Sequence, residues 1–280
     1  MARQLSLPQA GASHALVMGI LNVTPDSFSD GGRLGGVDQL IDAAAIMVAD
    51  GADLLDVGGE STRPGAAPVS DTEELARVLP AIEVLSRRFD VPVSIDTRKP
   101  VVMRAAVAAG AAMINDVYAL RAPGALETVA ELAVPVVLMH MQGDPATMQQ
   151  GPSYEDPVAE VTAFLRERIA MCESAGIARQ RLVVDPGFGF GKKLPHNLAL
   201  LRGLGTLVAA LGLPLLVGVS RKSMIGELTG RPVGERLSGS VALAVFAALN
   251  GASILRVHDV GPTVEALRVI RPLLGDGGNG

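Results

Sequence analysis

The sequence predicts one α/β domain, a (β/α)8 or TIM barrel with long loops after its first and second strands. Eight short apolar runs recur along the 280 residues, with helical patterns between them. The runs do not alternate polar and apolar residues, which indicates strands buried on both faces, as in a parallel sheet. Eight such units can close a barrel, and the chain length is typical of one.

The predicted strands are rich in Val, Ile and Leu. They are Leu16–Leu21, Leu54–Val57, Val93–Ile95, Met113–Ile114, Val136–Met139, Leu182–Val184, Leu215–Val219 and Ile254–Val257. The alternative is an open doubly wound sheet, which usually carries an early Gly-x-Gly-x-x-Gly turn. Only a Gly pair, Gly58-Gly59, follows the second run.

Helical patterns fill the segments between the runs. They cover Val37–Asp50, the segment after the capping-box spacing of Ser70–Glu73, Glu155–Ala175, and a segment beginning near Pro262. The third carries an apolar stripe that includes the single cysteine, Cys172, for which we predict a buried thiol.

The segment Leu237–Leu255 has no charged residue and is long enough to suggest a membrane span. The turn signal Asn250-Gly251 instead predicts a buried helix followed by a strand. We expect Val241–Leu249 to be buried on more than one side, in the core or at a homodimer interface.

Composition limits the other assignments. A net charge of -5, two Tyr and no Trp argue against a nucleic-acid partner. One cysteine and no evident signal peptide or membrane span favour the cytoplasm. We expect an N-terminal extension at 1–14, the barrel at 15–274 and a flexible tail at 275–280.

Every apolar run is followed by polar or ionisable residues. They are Asn22, the segment Gly58–Gly65, Asp96, Asn115 and Asp116, His140, Asp185, the segment Ser220–Lys222, and Arg256 with His258 and Asp259. In a barrel these ends meet on the C-terminal face, where active sites lie. The sequence therefore predicts one convergent site.

The site residues divide by chemistry. Asp96, Asn115 and Asp185 suit a flat heterocycle with several N–H groups. Arg256 and His258 are two apart on one strand and face the same way, and with Asn22 they form a candidate phosphate site. Asn22 also offers an oxygen to Mg2+. Zinc and ATP are not indicated, because no Cys pair or P-loop motif occurs.

Two long loops are predicted to act as lids, one around Phe28 and one around Arg63. Phe188 and Phe190 also lie in a loop, where their rings could contact a planar ligand or pack the loop itself.

At these residues the sequence resembles the dihydropteroate synthases, in the right order from about residue 15 to 272. The matching segments are Gly19–Gly32, Asp56–Gly65, Ser94–Thr97, Ile114–Val117, Leu138–Met141, Asp185–Phe190, Gly218–Ser223 and Arg256–Asp259. The first two together are highly specific.

The resemblance implies a transferase of folate biosynthesis that is a sulfonamide target and a homodimer. It would join a dihydropterin methyl diphosphate to para-aminobenzoate by a dissociative route and release pyrophosphate. Asp96, Asn115, Asp185 and Lys222, as the catalytic set, would hold the pterin, with Met139 and Phe188 lining its pocket. Asn22, Arg256 and His258 would hold the diphosphate, with Mg2+ at Asn22. Thr62 and Arg63 would contact the diphosphate-bearing substrate from the second loop. Phe28, Pro64, Phe190, Ser220 and Lys222 would bind para-aminobenzoate, and Asp30 would help to close the first loop.

Two other functions share part of this pattern. A pterin-binding methyltransferase domain would not need the Asn22 lid or the anion sites around Ser220–Lys222 and Arg256–His258. A catalytically silent paralogue should have lost some of those residues, and here all are present.

Overall fold

The fold is described by a computed structural model for residues 5–11, 14–23, 32–61, 68–144 and 147–274. The strands are β1 (Leu16–Asn22), β2 (Leu54–Gly58), β3 (Val93–Asp96), β4 (Met113–Asp116), β5 (Val136–Met139), β6 (Leu182–Asp185), β7 (Leu216–Val217) and β8 (Ile254–Val257). The helices are α1 (Gly32–Ala49), α2 (Asp71–Arg88), α3 (Pro100–Ala109), α4 (Ala125–Leu132), α5 (Pro157–Ser174), α6 (Leu194–Arg202), α7 (Leu204–Leu211), α8 (Ser223–Thr229), α9 (Leu237–Leu249) and α10 (Val260–Ile270).

The strands form one parallel sheet in the order β6-β5-β4-β3-β2-β1-β8-β7. A parallel bridge between Val184 and Leu215 joins the two outer strands, and the Val184 amide donates to the Pro214 carbonyl at 3.0 Å. The sheet is therefore a nearly closed barrel with helices around it, which confirms the predicted fold class.

The strand register aligns the C-terminal ends of four neighbouring strands. Asn22 lies opposite Gly58, Gly58 opposite Asp96, and Asp96 opposite Asn115. Several strands continue one or two residues beyond the predicted apolar runs, because the backbone ladder does not stop where the side chains become polar. In these strands, the first polar residue after the apolar run therefore lies in the strand and not in the loop that follows.

The predicted helices are found, although α1 begins at Gly32 and not at Val37, and two of them begin at side-chain caps. The Ser70 hydroxyl caps α2 by accepting from the Glu73 amide at 3.2 Å, and the Asp156 carboxylate caps α5. Cys172 is buried in α5 as predicted, and burial raises the pKa of its thiol to about 11.

The N-terminal end of the barrel is apolar. Leu5 and Leu7 pack against an interior layer that includes Met18 and Met113. This end of the barrel is therefore filled by apolar packing, and the polar groups lie at the opposite end.

Of the two alternatives for Val241–Leu249, the core helix is wrong, and the homodimer interface stays a prediction. Its buried face consists of Ser240, Ala244 and Ala247, whereas Phe246 and Leu249 are 39% and 50% exposed. Within the described residues no single helix has the length and apolar character to cross a membrane; α6 and α7 reach that threshold only as a pair bent by 61°.

Candidate active site

Four side chains from β2, β3, β4 and β8 meet in the barrel mouth: Asp56, Asp96, Asn115 and Arg256. We call this group the acid–arginine centre. Arg256 donates from Nε to Asp56 Oδ2 at 2.7 Å and from Nη2 to Asp96 Oδ2 at 2.9 Å. Asn115 Nδ2 donates to the same Asp56 oxygen at 3.0 Å. The Arg256 guanidinium thus binds both carboxylates, and the Asn115 carboxamide binds that of Asp56.

The centre holds its charges in a buried setting. Burial raises the pKa of Asp96 to about 7, although Arg256 opposes the shift and Asp56 adds to it. Burial also acts against the charge of Arg256, but Asp56 and Asp96 outweigh it and its pKa is raised. Arg256 therefore stays a cation, while Asp96 titrates near neutral pH.

Asp56 is a site residue that the sequence reasoning missed. It is fully buried, and its second oxygen, Oδ1, has no hydrogen-bond partner among the described residues. The available signal was a charged residue inside the apolar run Leu54–Val57, since a buried charge needs a partner.

Asp185 begins a loop that turns back over the end of β5. The Gly187 amide donates to Asp185 Oδ1 at 2.7 Å, and burial raises the pKa of Asp185 to about 6. Gly187 has a φ of 69°, and a Cβ there would lie 1.9 Å from the His140 carbonyl oxygen. Only glycine allows this close approach.

Lys192 fixes the far end of the same loop and was also missed. Its buried Nζ lies 2.9 Å from the Gly187 oxygen, 3.0 Å from the Phe190 oxygen and 2.9 Å from His140 Nδ1. Burial, with Lys192 and Arg121 adding to it, lowers the pKa of His140 to about 2. The neutral imidazole can therefore accept from the Lys192 amine, whose own pKa burial lowers to about 7.

Lys222 reaches across from the β7–α8 loop. Its Nζ lies 4.2 Å from the centre of the Phe190 ring, a cation–π distance, and burial lowers its pKa to about 8. Met139 packs in one buried cluster with Phe190, and Phe188 is 1% exposed. Both aromatic side chains of this loop are therefore buried, Phe188 in the main core and Phe190 in the smaller cluster with Met139.

Ser220 and His258 form a second pair at this end. His258 Nδ1 lies 3.0 Å from Ser220 Oγ, and the His258 amide lies 3.2 Å from the same oxygen. Burial lowers the pKa of His258 to about 4, and the positive charge of Arg256 adds to the shift. His258 is thus a neutral hydrogen-bonding group beside a cation.

Asn22 lies close to the acid–arginine centre. A Cβ on Gly58 would lie 3.7 Å from Asn22 Oδ1 and 3.8 Å from Asp96 Oδ2, so these two oxygens flank one glycine. The remaining predicted site residues lie outside the described ranges; they are Phe28, Asp30, Thr62, Arg63 and Pro64.

A further ionic cluster lies at the described ends of the second loop. Lys99 Nζ lies 3.0 Å from Glu60 Oε2 and 2.6 Å from Glu74 Oε2, and it donates to the Val69 carbonyl at 2.5 Å. The sequence reasoning did not include these residues. They connect both sides of the loop to the start of α3.

Comparison with known proteins agrees with this geometry. Residues 18–258 match the family described as pterin binding enzyme. A dihydropteroate synthase from Escherichia coli K12 is 56% identical over 262 residues, covering 94% of this chain and 93% of the relative.

Two solved structures are also similar. The Yersinia pestis dihydropteroate synthase with a sulfonamide drug has a TM-score of 0.91 at 52% identity, covering 98% of both chains. The Xanthomonas albilineans enzyme in complex with 7,8-dihydropteroate has a TM-score of 0.86 at 51% identity, covering 96% of this chain and 99% of that one.

Fold and site together define a barrel enzyme of the pterin-binding class. Within that class, the chain belongs to the dihydropteroate synthase family, and it is a transferase. The methyltransferase alternative receives no support from these relatives.

Proposed function

We propose that the site condenses 6-hydroxymethyl-7,8-dihydropterin diphosphate with para-aminobenzoate to form 7,8-dihydropteroate and pyrophosphate, a step of folate biosynthesis. The observation that carries this proposal is the acid–arginine centre, where acceptors for a heterocycle adjoin a cation for a diphosphate. The relative solved with 7,8-dihydropteroate supports the same reaction.

The pterin would lie against Asp96, Asn115, Asp185 and Lys222, with Met139 and Phe188 as its apolar walls. Carboxylate and carboxamide groups can pair with the N–H edges of the ring. Their burial supports this role, because water then competes weakly for those hydrogen bonds.

The diphosphate would lie against Arg256, His258 and Asn22, with Thr62 and Arg63 approaching from the second loop. Arg256 is a permanent cation, and His258, neutral at pH 7, would serve as a hydrogen-bond donor.

Para-aminobenzoate would contact Phe190, Ser220 and Lys222, with Phe28 and Pro64 from the two long loops. Asp30 would help to close the first of these loops. Because sulfonamides are bound by a similar enzyme, we expect them to compete for this subsite.

The chemistry would be dissociative. The bond from the pterin methylene carbon to the diphosphate oxygen breaks first, and the electron pair leaves with pyrophosphate. The arylamine nitrogen then attacks the resulting pterin cation and loses a proton to solvent. Ionised Asp96 would stabilise the cation, and Arg256 would stabilise the charge that develops on the leaving group.

Mg2+ is the cofactor we propose. Asn22 Oδ1 and Asp96 Oδ2 are hard oxygen donors on either side of Gly58, and Mg2+ prefers few protein ligands plus substrate phosphates. In the described part of the chain no three His, Cys, Asp or Glu side chains form a metal cage. Asn22 would therefore hold Mg2+ together with substrate oxygens. When bound, the ion supplies positive charge to the leaving diphosphate.

We also propose that the chain works as a homodimer in the cytoplasm. Large apolar side chains of α8, α9 and the segment between them are exposed; they are Leu228, Val233, Leu237, Phe246 and Leu249. A second copy would cover this face. The buried, unpaired Cys172 fits a reducing compartment.

The test is an assay with the pterin diphosphate, Mg2+ and para-aminobenzoate that follows pyrophosphate and dihydropteroate separately. We expect equal amounts of both products, and loss of both without Mg2+. Tight pterin binding by calorimetry without any dihydropteroate would overturn the proposal and favour a catalytically silent paralogue.

A further inference from the structure

The turn that carries Ser220 and Lys222 contains a strained residue. Arg221, between them, has a φ of 58°. Non-glycine residues avoid this left-handed region because Cβ crowds the following carbonyl. Such a conformation persists only where the surrounding structure holds it, and it often marks a functional site.

Two side chains from the start of α9 hold the strained residue at both of its backbone groups. The Arg221 amide donates to Ser240 Oγ at 2.9 Å. Arg236 Nη1 donates to the Arg221 carbonyl at 3.1 Å and to the Lys222 carbonyl at 3.3 Å. The backbone before and after the strained Cα is thus fixed by one helix turn.

The two holding side chains are themselves fixed. Ser240 Oγ donates to the Arg236 carbonyl at 2.7 Å, and Arg236 Nε donates to the Arg231 carbonyl at 3.0 Å. A Cβ on Gly226 would lie 2.2 Å from Arg236 Nη2. The glycine therefore leaves the space that the guanidinium fills.

We propose that Arg236 and Ser240 are positioning residues of the active site, a clamp that keeps Arg221 left-handed so that Ser220 and Lys222 face the arylamine subsite. The inference rests on the proposed function. Without the clamp the turn relaxes, and both Ser220 Oγ beside His258 and Lys222 Nζ over Phe190 lose their places. Neither clamp residue needs to touch substrate.

The competing explanation is that Ser240 only supports its own helix. A serine that bonds the carbonyl four residues earlier is a common local feature. Thr162 provides a matched control, because its buried hydroxyl also donates to the carbonyl four residues back, that of Val158, at 2.7 Å. Thr162 lies in α5, and its hydroxyl donates within α5 itself, so Thr162→Ala should change stability alone.

The first test compares Ser240→Ala and Arg236→Gln with Thr162→Ala by steady-state kinetics. Loss of one hydrogen bond that holds the turn should raise the KM for para-aminobenzoate about tenfold in either clamp variant. The kcat should change much less, and Thr162→Ala should keep the wild-type KM. Equal KM values in all three variants would overturn the proposal.

The second test is rescue by relief of strain. Glycine adopts a positive φ without the Cβ penalty, so Arg221→Gly should make the clamp unnecessary when it is made in an Asp259→Asn background, which already lacks the Arg221–Asp259 ion pair. In a double-mutant cycle, Ser240→Ala should add little to Arg221→Gly. If the two substitutions raised the KM by factors that multiply in the double variant, a clamp acting through Arg221 would be contradicted.

A readout without turnover separates this inference from the reaction itself. Amide hydrogen exchange in the peptide spanning 219–226 should rise in Ser240→Ala and stay at the wild-type level in Thr162→Ala. If the wild-type protein makes no dihydropteroate, the proposed function is wrong, but hydrogen exchange still tests the clamp. If hydrogen exchange in Ser240→Ala is unchanged, the clamp proposal is wrong and the proposed function is unaffected.

Discussion

The acid–arginine centre and the two loops Asp185–Lys192 and Ser220–Lys222 place their functional groups by different means. In the centre, side chains standing on strands pair directly with each other. In the loops, glycine turns and long cations bound to backbone carbonyls set the geometry. We therefore expect changes in the centre to reduce the chemical step, and changes in the loop supports to reduce substrate affinity.

The largest effect is expected for Asp96→Asn. Removing the carboxylate that faces the cation should lower kcat by about 100-fold or more, the usual cost of one electrostatic group in a closed site. Steady-state assays with saturating substrates would measure it. Asp53→Asn is the control, because Asp53 lies just before β2, at the opposite end of the barrel, and accepts from the Val17 amide of β1. If the two variants lost kcat equally, the special role of Asp96 would be refuted.

A smaller loss is expected for Asp56→Asn. Asparagine can still accept from Arg256, but the buried negative charge is gone, so kcat/KM for the pterin substrate should fall about tenfold. Because the charge of Asp56 raises the pKa of Asp96, the acidic limb of the pH profile should also move to lower pH. An acidic limb at the wild-type position would show that the two carboxylates do not interact.

Lys192→Met tests the loop supports. It leaves buried carbonyls of Gly187 and Phe190 without this donor, which should lower the free energy of unfolding by about 1–3 kcal/mol. The KM values should rise severalfold as the loop loosens, with kcat nearly unchanged. Urea denaturation and steady-state kinetics measure the two effects. A drop in kcat comparable to that of Asp96→Asn would mean that Lys192 takes part in the chemistry.

The mildest effect is the pH dependence of wild-type kcat/KM for the pterin substrate, which reports groups of the free enzyme. Asp96 must be ionised, and its pKa is raised to about 7, so activity should fall below that pH. Lys222 must be protonated, and its pKa is lowered to about 8, so activity should fall above that pH. Lys222→Arg should remove the alkaline limb; a limb that stays would exclude Lys222 as its source.

The barrel and most of the site residues at the strand ends could be predicted from local sequence patterns. Apolar runs ending in Asn22, Asp96, Asn115 and Asp185 were enough, because parallel strands bring their carboxyl ends to one face. The exact strand ends did not follow, since hydrogen bonding continues past the last apolar side chain, as at Asp96.

Residues that act through distant partners could not be predicted in this way. Asp56 is bound by Arg256, 200 positions later in the chain, and no local pattern encodes that contact. Lys192 and Arg236 bind backbone carbonyls, which every residue offers. The sequence could not decide between the core and a homodimer interface for α9, because an apolar pattern does not distinguish a core helix from one exposed on the single chain.

The most direct test of the central claim is to measure kcat and the KM for para-aminobenzoate in Asp96→Asn and Lys192→Met side by side. We expect a large loss of kcat with a near wild-type KM in Asp96→Asn, and a raised KM with a near wild-type kcat in Lys192→Met. The same pattern in both variants would contradict the division between a centre that performs the chemistry and loops that set affinity.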